Sequence, residues 1–176
     1  MSVKIVPAVE ADVPELLQLI RDLEPEAVVA TPEMMIENIF KKKYAECLIA
    51  RSAEGQAIGL ALYFFTYSTW LGAPGLYLED LYVAPKHRAK GLGKLLFGHL
   101  GEIAKERGCK RVEWRVLKAS RMEMELPGGK SLTRPKWNAP SIAFYKNSLG
   151  AETLDEWDTM RIEGDEGIER LVAMKK

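Results

Sequence analysis

Leu76-Tyr77-Leu78-Glu79-Asp80-Leu81-Tyr82-Val83-Ala84-Pro85-Lys86-His87-Arg88-Ala89-Lys90-Gly91-Leu92-Gly93-Lys94 decides how this chain is read. Its first half is apolar and rich in strand formers, interrupted by two adjacent carboxylates, Glu79 and Asp80. Pro85 ends the strand, because proline cannot donate to a sheet ladder. From Leu92 onward, apolar residues recur at Leu92, Leu95, Leu96, Leu100 and Ile103, the spacing of one helix face. The order is therefore strand, glycine-bearing turn, helix. A helix N-terminus presents unpaired backbone N–H groups and roughly +0.5 of a charge. Glycine lets an anion approach those groups, and Arg88 and Lys90 add positive charge at the same place. The turn reads as a pyrophosphate cradle. It is neither a GxxxxGK[ST] loop nor a GxGxxG dinucleotide turn, since the glycine spacing differs from both.

Around this centre the chain punctuates itself. Val3 to Val6 reads as a first strand. Asp12 is expected to N-cap a helix, with Glu15 closing a capping box and Val13, Leu16, Leu17, Ile20 and Leu23 on one stripe. Thr31-Pro32 starts a second helix, with Met35, Ile36, Ile39 and Phe40 inward. Two strands, Cys47 to Ser52 and Gln56 to Phe65, flank the tight turn Ala53-Glu54-Gly55. Residues 71–75 form a further turn into the Leu76 strand, and Gly108 stops the long helix. Arg111 to Leu117 is expected to be a strand, Asn138-Ala139-Pro140 to open a helix stopped by Gly150, and Glu156 to Glu163 to be a last strand. The pattern predicts a single α/β domain over residues 1–176, with Ser120 to Lys136, which carries Pro127-Gly128-Gly129 and Pro135, as an inserted loop or short hairpin.

Composition narrows the function classes. Twenty-five Lys plus Arg balance twenty-five Asp plus Glu, so nothing favours nucleic acid or an anionic membrane as partner. Lys41, Lys42 and Lys43 read as a solvated helix end. Cys47 and Cys109 carry no pairing pattern, which points to a reducing compartment. No secretory leader or bilayer-length apolar run is read in the sequence, and the expected location is the cytoplasm. No Cys, His and carboxylate cluster has metal spacing, so no metal is expected; His87 and His99 receive no role.

Arg88-Ala89-Lys90-Gly91-Leu92-Gly93 after a strand resembles the acetyl-CoA loop of the GNAT N-acetyltransferases. Residues 63–72, Tyr77-Leu78-Glu79-Asp80 and residues 137–146 are similar to the diamine branch of that family, which acetylates spermidine, spermine or thialysine. The resemblance runs from about Val3 to Ile162. It implies a mixed, mostly antiparallel sheet flanked by helices, with central strands splayed to admit acetyl-CoA, and a homodimer. It implies N-acetyl transfer to a primary amine of a small di- or polyamine or lysine-like acceptor. The alternatives are a peptide-lysine acetyltransferase or a non-catalytic acetyl-CoA-binding module.

The resemblance also distributes roles. Tyr145 matches the acid that protonates coenzyme A sulfur, against the plain reading of helix core. Glu79 matches the base, acting through a water, and Asp80 a contact to a cationic acceptor; strand alternation puts them on opposite faces unless a bulge intervenes. Leu81, Tyr82 and Val83 would pair with the pantetheine arm. Arg88, Ala89, Lys90, Gly91, Leu92, Gly93 and Lys94 would hold the pyrophosphate, and Asn138 and Ser141 would lie near the thioester. Trp70, Glu24 and Glu26 match acceptor-pocket positions, against packing or solvated readings. Ser68 departs from the polyamine enzymes, which carry an acid between the positions of Tyr67 and Trp70, and this makes a shorter diamine or a lysine-like amino acid as plausible an acceptor.

Overall fold

The computed structural model describes residues 3–23, 28–117, 122–126, 130–134 and 138–175. The chain divides into two compact units, 1–138 and 139–176.

The first unit is built on a five-stranded sheet in the order β1-β2-β3-β4-β5. Its strands are β1 (Lys4–Pro7), β2 (Glu46–Arg51), β3 (Ala57–Ser68), β4 (Ala73–Val83) and β5 (Val112–Trp114). The first three pairings are antiparallel and the last, β4 with β5, is parallel. The hairpin turn after β2 closes through the Gly55 N–H on the Ser52 carbonyl and the Ser52 N–H on the Gln56 carbonyl. Alternation gives the sheet two apolar faces. On one, Leu48, Ala50, Ala61, Tyr63, Leu76 and Leu78 meet Leu92, Leu96, Leu100 and Ala104 of α3 (Leu92–Glu106). On the other, Cys47, Ile49, Leu60, Leu62 and Tyr82 meet Val13, Leu16 and Leu17 of α1 (Val13–Leu23) and Met35 of α2 (Pro32–Met35). Helix α2 opens as the sequence requires, with the Thr31 hydroxyl accepting from the Met34 N–H at 3.3 Å, and runs on as a π-helical stretch, Ile36–Lys41. Helix α3 ends in a Schellman arrangement: the Cys109 N–H bonds the Ala104 carbonyl at 2.8 Å and the Gly108 N–H bonds the Lys105 carbonyl at 3.1 Å.

Several expectations are corrected. Asp12 does not N-cap α1; a 3-10 turn, Glu10–Asp12, precedes the helix, and the Asp12 carboxylate reaches back to the Val9 N–H at 2.9 Å. Glu15 closes no capping box with it. Both acids instead engage Arg51, whose Nη2 lies 2.6 Å from Asp12 and 2.7 Å from Glu15. Strand β4 begins at Ala73, so Pro74 and Gly75 belong to the strand rather than the turn. Strand β5 is three residues long, not the seven expected from Arg111 to Leu117. The segment read as an inserted loop or short hairpin, by contrast, does hold a hairpin, antiparallel β6 (Met122–Leu126) with β7 (Lys130–Arg134).

The second unit holds α4 (Ala139–Ala143), continued by a π-helical stretch Phe144–Ser148, and α5 (Gly164–Val172). The strand expected at Glu156 to Glu163 is not formed. Alternating apolar residues permit a strand, but a strand also needs a ladder partner, and among the described residues this segment pairs with none. Helix α5 was not expected; Gly167 is buried in it, and a Cβ there would sit 2.8 Å from the Ile162 side chain.

Candidate active site

The site grows from one irregularity in β4. Leu62 pairs with Asp80, yet the next rung joins Tyr63 to Leu78, leaving Glu79 as an extra residue. A bulge of this kind shifts the phase of the strand. Before it, Leu76 and Leu78 face α3; beyond it, Tyr82 faces α1 while Leu81 and Val83 pack toward α3. Asp80 therefore shares the α1 face with Leu62 and Cys47, half-buried, and Glu79 projects exposed at the bulge itself. Burial, then the nearby Asp80 charge, push the Cys47 thiol up to about 12.

The same bulge decides which backbone groups are free. The β4–β5 ladder stops at Leu78 with Trp114, while β4 runs on to Val83. The strands part there. The Ala84 N–H bonds the Ile58 carbonyl at 2.9 Å, on the β3 side. By alternation the backbone groups of Leu81 and Val83 face the opposite, open edge. The open edge lies alongside a closely packed one: a Cβ on Gly59 of β3 would sit 2.8 Å from the Tyr82 carbonyl oxygen.

The edge leads into the cradle. A 3-10 turn, Pro85–His87, is followed by Arg88 in extended conformation, Ala89 at φ 58° and Gly91 at φ 82° as N-cap of α3. Gly91 makes no side-chain cap, and a Cβ there would meet nothing within 4 Å. The first N–H groups of α3, at Leu92, Gly93 and Lys94, receive no side-chain cap from Gly91 and lie at the positive end of a fifteen-residue helix. These features fit a pyrophosphate-bearing co-substrate. Arg88 and Lys90 are used differently from the simple expectation of added charge. Arg88 Nε donates to the Val83 carbonyl at 2.8 Å and its guanidinium lies 5.7 Å over the Tyr82 ring, while Lys90 Nζ donates to the Lys86 carbonyl at 2.9 Å. Both side chains brace the turn that they charge.

The first unit thus brings Glu79, Asp80, Leu81, Tyr82, Val83 and Arg88 to Lys94 into one continuous run. Asn138 is buried, its amide donating to the Leu117 carbonyl at 2.7 Å. Trp70 stands in the β3–β4 turn, 83% exposed. In the second unit, Ser141 lies on α4 and Tyr145 in the π-helical stretch that follows, where burial raises its phenol pKa. Glu24 and Glu26 lie outside the described residues. Sequence reading missed the Arg51 clasp, the bracing role of Arg88 and the left-handed Ala89. Only the acid spacing near a long-range arginine could have hinted at the first, and nothing in the local pattern signals the other two. Among the described residues no cluster of His, Cys, Asp and Glu could hold a metal ion, and no helix is long and apolar enough to cross a membrane.

A mixed sheet that parts beside a glycine-capped helix N-terminus defines an acyl-CoA-dependent transferase fold. Residues 13–126 match the acetyltransferase (GNAT) family. The chain is 30% identical over 174 residues to the thialysine N-epsilon-acetyltransferase of Bos taurus, covering 90% of this chain and 91% of that protein. It is 33% identical over 107 residues to an L-ornithine N5-acetyltransferase of Arabidopsis thaliana, covering 61% of this chain and 39% of that one. Among solved structures, an integron cassette protein from the mobile metagenome of V. cholerae superposes with a TM-score of 0.70 at 22% identity over 98% of each chain. The chain belongs to the GNAT acetyltransferase family and is an acetyl-CoA-dependent N-acetyltransferase.

Proposed function

We propose that the chain acetylates the primary amine of a small di- or polyamine or a lysine-like amino acid, with Glu79 as base and Tyr145 as acid. One observation carries the reading: the bulge sets an exposed carboxylate at the point where β4 and β5 part, immediately before the open edge and the cradle. Two relatives named for the side-chain amines of thialysine and ornithine support the acceptor class.

Acetyl-CoA supplies an activated acyl group and a thiolate leaving group. The chain supplies position and proton management. The Leu81 and Val83 backbone aligns the pantetheine arm as an added strand. Because Arg88 already occupies the Val83 carbonyl, the free partners there are the Leu81 N–H and carbonyl and the Val83 N–H. The Arg88 to Lys94 turn holds the pyrophosphate by its N–H groups, and Asn138 and Ser141 serve the thioester end. Asp80, Trp70, Glu24 and Glu26 contact the cationic acceptor. Glu79 receives the ammonium proton through a water, freeing the lone pair for attack. Tyr145, held protonated at neutral pH by its raised pKa, gives its proton to the departing sulfur. The working form is expected to be a homodimer in the cytoplasm.

A coenzyme A release assay across diamines, polyamines, thialysine, lysine, ornithine and lysine-containing peptides tests this. Turnover of the free small amines is expected; turnover confined to the peptides overturns the reading.

A further inference from the structure

Arg115 follows Trp114, the last residue of β5, and so stands beside Glu79 at the mouth where the two strands separate. It is exposed, and among the described residues no ion pair engages it. Trp114 packs toward α3, which turns its neighbours Glu113 and Arg115 to the other face, the face of Tyr77, the β4 partner of Glu113. The environment of the Tyr77 hydroxyl agrees. Burial raises its pKa most, Arg115 lowers it, and Glu79 and Glu113 raise it, so all three charges surround one phenol. Glu113 is already engaged by Arg111, with Nε to carboxylate at 2.8 Å. Glu79 and Arg115 are left as opposite charges at the open end of an aromatic platform, Tyr77 tilted against Phe64 with ring centroids 4.9 Å apart.

We propose that Arg115 is a specificity-determining residue that holds the α-carboxylate of an amino-acid acceptor. The inference rests on the small-amine reading above and narrows it to zwitterions whose side chain ends in a primary amine. The guanidinium offers the planar fork that matches a carboxylate. The Phe64–Tyr77 surface takes the methylene chain, and the distal ammonium falls to Glu79. A diamine lacks the carboxylate and leaves Arg115 without its partner, so the device selects against it.

Steady-state kinetics on the full-length chain test this with two matched pairs: L-lysine against 1,5-diaminopentane, and L-ornithine against 1,4-diaminobutane. The wild type should prefer the amino acid in each pair. Arg115→Gln should raise KM for the amino acids roughly 10- to 100-fold, the range of one charge-assisted hydrogen-bonded pair, with kcat little changed, so that the preference disappears. Arg115→Lys should restore part of it. A wild type indifferent to the carboxylate, or an Arg115→Gln variant that loses both acceptors in equal proportion, overturns the assignment of Arg115 and leaves the small-amine reading standing. A wild type that turns over none of the four but acetylates peptide lysines overturns the small-amine reading itself.

Discussion

Glu79 and Tyr145 are assigned opposite proton tasks, and single-atom substitutions separate them. Tyr145→Phe keeps the ring and removes the proton donor. It should lower kcat on the order of 10²- to 10⁴-fold, the usual worth of general acid catalysis, with acetyl-CoA affinity nearly unchanged. A residue serving only as helix core would lose a little stability and keep its turnover. Glu79→Gln leaves the thiolate step intact and impairs deprotonation of the amine. Its deficit should therefore shrink as pH rises and solution supplies the free amine; a pH-independent deficit, or wild-type rates at pH 7, would remove Glu79 from the base role. Gly91 illustrates a third kind of residue effect. Space for a side chain is open there, but the backbone sits at φ 82°, a region that costs an L-residue about 1 kcal/mol or more. Gly91→Val should weaken acetyl-CoA binding through the altered helix start, in a protein that stays folded. Calorimetry showing unchanged affinity would count against the cradle.

Among the elements, α1 and the β2–β3 hairpin depend on one arginine. Arg51 binds Asp12 and Glu15 and also donates Nη1 to the Gly55 carbonyl at 2.8 Å, tying helix start, strand end and turn together. The cluster is partly exposed, so solvent screening limits its worth. Arg51→Ala should cost about 1–2 kcal/mol in urea unfolding, against about 2–5 kcal/mol for Leu96→Ala, whose side chain is fully buried between α3 and the sheet. A clasp of no consequence would leave the Arg51 variant at wild-type stability. Local signals made α2, α3 and the hairpin turns legible, because a cap, a 3.6-residue stripe or a glycine turn acts within a few neighbours. Asp12 looked like a cap for the same reason; its real partners include an arginine thirty-nine positions away, which no local rule reaches. The last strand failed similarly, since a ladder needs an edge that sequence alternation does not supply. The candidate site was legible as a cradle with two acids. The place of the bulge, which sends Asp80 to the α1 face and opens the Leu81 and Val83 backbone, depends on the register with β3, and only the fold reveals it.

For the molecule as a whole, two protonated groups buried in the sheet set an alkaline limit on stability. Burial is the leading cause that raises both the Cys47 thiol, to about 12 from about 9, and the Tyr63 phenol, which also donates to Glu46 at 3.0 Å. Below the unfolded-state values both stay protonated in either state and their contribution is complete. Above them only the unfolded chain ionises, so stability falls as pH climbs from about 9 toward the folded values. Urea midpoints should drop between pH 8 and pH 10.5, and Tyr63→Phe or Cys47→Ala should flatten the drop; an equally steep decline in both variants would place the sensitivity elsewhere. Assembly is a second whole-molecule question. Ile168, Leu171 and Val172 on α5 are each 44% exposed or more, and light scattering is expected to give a dimeric mass at micromolar concentration. A monomeric mass would count against the dimer.

The extra residue in β4 also sets how this gene can tolerate insertions and deletions. With one residue in excess of its partner, the strand has a parity that every later position inherits. Removing Glu79 would take out that excess residue together with its carboxylate: the Leu78–Tyr63 and Asp80–Leu62 rungs would become consecutive, and Asp80, Leu81, Tyr82 and Val83 would keep their faces. A one-codon deletion of Glu79 should therefore fold without retaining catalysis, as substitutions there should, whereas deleting the regularly paired Leu81 should break the buried pattern on both faces and fail to fold.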